Sequence, residues 1–165
     1  MSLQVNLSRA AQALTYVQSK MTIGASNKFR DLARSLGGSA LCVVASRSVD
    51  IGAPRGPVPS WLRGMAAKAK ATGCGNCGEQ AAVAFVYLYE QIHAKPLDYM
   101  ARTNADHAFV VIGRMRQSRI DDYTTWGNDA VVCDAWDDQV YPAREIPTKM
   151  YGGGVFKPEG YYRLD

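Results

Sequence analysis

Gly73-Cys74-Gly75-Asn76-Cys77-Gly78-Glu79-Gln80 runs directly into Ala81-Ala82-Val83-Ala84-Phe85-Val86-Tyr87-Leu88. Glycine and small polar residues give way at once to an apolar run of helix formers. The pattern predicts a turn that becomes the first turn of a buried helix, running from about Cys77 to His93 and stopped before Pro96. Cys77 then sits where backbone N–H groups lack partners and the helix dipole favours negative charge. A thiolate is the nucleophilic form of cysteine, and such surroundings lower the pKa that controls it. A nucleophile there needs a base and a group to orient the base.

Upstream, two helical patterns precede the turn. Residues 8–19 place Ala10, Ala11, Leu14 and Val17 near one face, with Asn6 or Ser8 as the cap. Ser26 opens a second, with Phe29, Leu32, Ala33 and Leu36 as its stripe and Gly37-Gly38 as its stop. Residues 40–45 (Ala-Leu-Cys-Val-Val-Ala) read as a short buried strand or a helical turn; periodicity leaves both open. Pro54, Pro57 and Pro59 make residues 51–60 a loop. A helix follows from Ser60 to about Ala71.

Downstream the period changes. Residues 97–101 form a short strand, and His107-Ala108-Phe109-Val110-Val111-Ile112 a clear one, rich in β-branched and aromatic residues. Gly127-Asn128 turns the chain into a second clear strand, Ala130 to Trp136. Asp137-Asp138 marks another turn, residues 139–143 add a short strand, Gly152-Gly153-Gly154 is a loop, and residues 160–164 close the sheet. Helices first and antiparallel strands after them define an α+β fold. The 165 residues suit one domain, 1–165, with 1–60 as a helical N-terminal part and loop and 61–165 as the core.

Composition narrows the function. The net charge is +4, with the cations scattered, so nothing asks for nucleic acid. No apolar run approaches the roughly 20 residues of a membrane span. No basic region followed by an apolar stretch opens the chain, so no conventional signal peptide is expected. Four cysteines are too few for a disulfide scaffold at this length. Cys42 and Cys133, inside apolar strand-like runs, read as small core residues.

A histidine that opens a strand lies at the end of the sheet, beside a loop. If the strands beginning at His107 and ending near Asp134 are antiparallel neighbours, the start of one lies opposite the end of the other. A helix packed on that sheet brings Cys77 to the same end. Thiol, base and orienter are then His107-centred: Cys77, His107 and Asp134, with Asp106, Asp137 and Asp138 as alternatives for the carboxylate. His93, at a helix end, reads as a structural cation. Cys74 is open to three readings: a loop thiol, a redox partner of Cys77 that silences the nucleophile, or half of a Cys-x-x-Cys metal site with His107 and Cys133.

The three segments around Cys77, His107 and Asp134 resemble the motifs of papain-like and transglutaminase-like cysteine enzymes. They are also similar to compact Cys-His-Asp domains of bacterial effectors and toxins, several of which deamidate protein glutamine. The resemblance covers roughly the C-terminal half of the chain. It implies Cys77 as nucleophile, His107 as base and Asp134 as orienter, acting on a protein or peptide amide through a thioester, with no cofactor. No glutamine precedes Cys77 where papain-like enzymes hold the oxyanion, so the Cys77 N–H is the one donor nominated. Small size and the lack of a second lobe favour a glutamine deamidase over a protease or a transglutaminase. A non-enzymatic binding module with a structural Cys-x-x-Cys is the rival class. A monomer is expected, delivered by a specialised bacterial secretion system or otherwise cytoplasmic.

Overall fold

The helix that follows Cys77 is buried on nearly every side, and the rest of the molecule is arranged around it. The computed structural model describes residues 2–48, 52, 55–102, 105–150 and 157–165. The glycine loop at 152–154 and all of 51–54 except Gly52 lie outside the described residues. These residues include six α-helices: α1 (Leu3–Lys20), α2 (Phe29–Arg34), α3 (Gly38–Ser48), α4 (Ser60–Thr72), α5 (Cys77–Glu90) and α6 (Ile146–Lys149). Five strands, β1 (Leu97–Arg102), β2 (His107–Ile112), β3 (Val131–Asp134), β4 (Gln139–Pro142) and β5 (Pro158–Leu164), form one antiparallel sheet in the order β4-β3-β2-β1-β5.

The continuous apolar runs of β2 and β3 are explained by burial on both faces. On one face Val110, Ile112, Val131 and Cys133 pack with Leu62 of α4, Ala10 and Val17 of α1, and Phe85 and Leu88 of α5. On the other, Phe109, Val111 and Val132 pack with Trp126, Tyr141 and Ile146. A strand covered on both faces loses polar alternation. Asp98, buried in β1, is bound by both Arg114 and Arg163 at 2.8 and 2.9 Å, which ties β5 to the sheet. No helix among the described residues is long and apolar enough to cross a membrane.

Several sequence expectations are corrected. Helix α1 starts at Leu3, not near Ser8; Asn6 is no cap but a buried side chain that donates to the Asp129 carbonyl at 2.8 Å. The expected stripe of α2 is not buried: Phe29 is 85% exposed and Leu36 95%, while Asp31 points inward and accepts from the Ala25 N–H. Residues 40–45 belong to α3, and Cys42 is therefore not a strand residue. It forms a disulfide with Cys74. Helix α5 ends at Glu90, so His93 lies beyond it, exposed and in a left-handed conformation (φ 54°).

Candidate active site

The turn before α5 is shaped by two glycines. Gly73 ends α4 in the left-handed region (φ 74°), where a side chain is strained. Gly75 faces Glu79 so closely that a Cβ would lie 2.4 Å from the Glu79 Cβ. Glu79 and Asn76 form a capping box, with the Asn76 N–H donating to Glu79 Oε2 at 2.9 Å. The Gln80 amide donates to the Gly75 carbonyl at 3.0 Å and fixes the turn from inside. Cys77 is the first helical residue, and its N–H finds no backbone acceptor among the described residues.

That turn is tied to two other segments. Gly24 and Cys74 form an isolated bridge, and the Ile23 and Gly75 N–H groups donate across it to Gly73 and Gly24. The Cys42–Cys74 disulfide fastens α3 to the same place. The Cys74–Cys77 pairing entertained from the sequence is therefore not formed: Cys74 is committed to Cys42, and Cys77 is free. Nor is the four-residue metal set assembled. Cys133 donates to the Ala10 carbonyl on the helix-facing side of β3, and burial pushes its thiol up to about 12. Among the described residues no group of three or more His, Cys, Asp or Glu side chains is placed to hold a metal ion.

Cys77, His107 and Asp134 do come together. His107 Nε2 lies 2.6 Å from Asp134 Oδ2, with side chains only 14% and 3% exposed. The two are not directly opposed in the sheet. The β2–β3 register pairs Val110 with Cys133, so Asp134 continues opposite Phe109, and His107 is its diagonal neighbour on the same face. Asp134 Oδ1 accepts the Asp137 N–H at 3.2 Å, which holds the carboxylate. The alternative carboxylates are occupied elsewhere: Asp137 accepts from Gln139, and Asp138 binds Lys28 and Arg30. Asp106 contributes its carbonyl oxygen, 3.6 Å from Cys77 Sγ.

Burial disfavours the His107 imidazolium, but the hydrogen bond to Asp134, then that to Cys77, and the charge of both outweigh it and raise the pKa to about 10. Since Nε2 is taken by Asp134, Nδ1 is the nitrogen left for the thiol. Trp136 lies edge-on to the imidazole with ring centroids 5.5 Å apart. Beside that pair opens a cavity of about 240 Å³ lined by Arg102, Ala105, Asp106 and Trp136. A second hollow of about 370 Å³, lined by Trp61, Met65, Lys68 and Glu79 among others, flanks the first turn of α5.

Sequence reasoning passed over Asn27 and Lys28. Lys28 reaches the Trp136 carbonyl and Asp138, and Asn27 accepts from the Trp136 indole. No local pattern marks them, because the contacts span more than a hundred residues. No protein-family model, curated protein or solved structure matches the chain.

Proposed function

We propose that the chain is a cysteine-dependent amide hydrolase using Cys77, His107 and Asp134, and that its preferred reaction is deamidation of glutamine side chains in protein. One observation carries this reading: a single imidazole is bonded to a buried carboxylate through Nε2, and a free thiol at a helix N-terminus sits beside it, its Sγ 3.6 Å from the carbonyl oxygen of Asp106, the residue before that histidine. The order of helix cysteine, strand histidine and strand aspartate on an antiparallel sheet supports the likeness to papain-like and transglutaminase-like enzymes, and to compact bacterial effector and toxin domains.

The steps follow from the geometry. His107 takes the Cys77 thiol proton as the sulfur attacks; despite burial, the Asp134 carboxylate bonded to the ring favours the imidazolium so formed. Cys77 sulfur attacks the amide carbon, and the imidazolium gives its proton to the departing nitrogen, which leaves as ammonia when the substrate is a glutamine side chain. Water, deprotonated by His107, then attacks the thioester carbon. Glutamate is released and the thiol is restored. Asp134 keeps the ring oriented throughout.

Proteolysis and transamidation share this thioester. Access favours the deamidase: Cys77 is only 6% exposed and Trp136 covers one side of His107, so a slender carboxamide reaches the sulfur more readily than a main-chain amide. Two measurements test the reading. Iodoacetamide at neutral pH labels Cys77 faster than it labels glutathione, and His107→Ala abolishes the advantage. Intact-mass analysis of glutamine-bearing target proteins shows a gain of about 1 Da per event with the wild type and none with Cys77→Ala. A Cys77 that labels no faster than glutathione overturns the enzyme and leaves a binding module. Cleavage in place of the mass gain overturns deamidation.

A further inference from the structure

An attacked carbonyl places negative charge on its oxygen, and fixed donors aimed at that oxygen are usually the largest single catalytic contribution. The Cys77 N–H is one donor without a backbone acceptor among the described residues. We propose that the Asn27 side chain is the second, its Nδ2 acting beside the Cys77 N–H as an oxyanion hole; this rests on the amide-hydrolase reading above.

Asn27 is held between the nucleophile's turn and the ring that covers the base. On one side, the Ser26 N–H and hydroxyl both donate to Asn76 Oδ1 at 2.9 Å, joining the residue before Asn27 to the residue before Cys77. On the other side, Trp136 Nε1 donates to Asn27 Oδ1 at 2.8 Å, and Trp136 meets His107 edge-on at 5.5 Å. An indole N–H can only donate, so the oxygen of the Asn27 amide must face it. The orientation of the amide is thereby set, and its Nδ2 has no partner among the described residues. Asn27 is also exposed, so that N–H₂ group is open to a ligand.

The neighbouring donors are engaged. Gln80 Nε2 donates to the Gly75 carbonyl, Trp136 Nε1 to Asn27 itself, and Lys28 to Asp138 and the Trp136 carbonyl. Asn76 is the remaining amide, and its oxygen is anchored by Ser26.

Two reagents separate this role from a structural one. Acylation of Cys77 by p-nitrophenyl acetate passes through a tetrahedral oxyanion; alkylation by iodoacetamide does not. Asn27→Asp keeps an oxygen for the Trp136 indole and removes the N–H₂ donor. It is expected to slow acylation by about 10²–10³-fold while alkylation stays within about threefold of wild type. Asn27→Ala shows the same split, and Asn27→Gln, which keeps a donor, recovers part of the acylation rate. Unchanged acylation in Asn27→Asp overturns the assignment. So does a parallel fall in both rates, which would mark Asn27 as a support for Trp136. The same holds if Asn76→Asp, and not Asn27→Asp, carries the selective loss. A wild-type Cys77 that alkylates no faster than glutathione overturns the hydrolase reading, and the oxyanion hole with it.

Discussion

Breaking the Cys42–Cys74 disulfide should cost this protein several kilocalories of stability. The two residues are 32 apart in sequence, and the bond joins α3 to the turn that carries Cys77. Closing a loop of that length in the unfolded chain gives about 3.7 kcal/mol at 25 °C from chain entropy. For a chain of this size each kilocalorie moves the melting temperature by about 2–4 °C, so the shift is about 7–15 °C. The clean perturbation is Cys42→Ser with Cys74→Ala, because Cys42 is partly exposed whereas Cys74 is fully buried and a hydroxyl there would lack a partner. Urea titration measures it. The midpoint falls and the slope rises, since the uncrosslinked chain exposes more surface when unfolded. Thiol titration in denaturant is the companion measurement: two free thiols, Cys77 and Cys133, before reduction and all four cysteines after it. A loss below about 1 kcal/mol, with the bond shown to be present before mutation, would refute the entropic argument.

Three further outcomes follow from the site. Asp134→Asn keeps the shape of the carboxylate but not its charge; deamidation should fall by two to four orders of magnitude, about what loss of the orienting charge costs in comparable triads, and a decrease under tenfold would count against the role. His107 has a folded pKa of about 10 against an ordinary 6.5, so its protonation stabilises the fold fully below pH 6.5, and this contribution is lost as pH rises through 10. Urea midpoints should therefore drop across that window more steeply in wild type than in His107→Gln, and parallel profiles would contradict the assignment. Gly75→Ala places a Cβ 2.4 Å from the Glu79 Cβ and must displace the capping box; a destabilisation of about 1–3 kcal/mol and slower Cys77 alkylation are expected, read by urea titration and by mass.

Where neighbouring residues decide the structure, the sequence was readable. The composition of α5 and the β-branched runs of β2 and β3 are strong local signals, and they bring Cys77, His107 and Asp134 to one end of the sheet. What could not be read depends on tertiary placement. In α3 the apolar residues do not mark an inner face: Leu41 is 76% exposed and Val44 72%, so their spacing carried no usable period. The partner of Cys74 is set by where α3 docks, not by the nearby Cys77. Asn6 looked like a cap because caps are asparagine-rich, yet its amide serves a carbonyl 123 residues away. Asn27 sits in a connecting loop whose meaning appears only once Trp136 has been folded against it.

The strand order also fixes what synthesis must wait for. Strand β1 gains one neighbour, β2, almost as soon as it is made, but its other neighbour is β5, which is made only after β3 and β4. A nascent chain that has reached Met150 therefore presents one whole edge of β1 as open hydrogen-bonding groups, with Asp98 lacking its Arg163 partner. Such an edge pairs with any other extended chain in reach. Synthesis and docking of β5 thus close the sheet, and an intermediate stalled before that point is the species most exposed to aggregation or to capture by a chaperone.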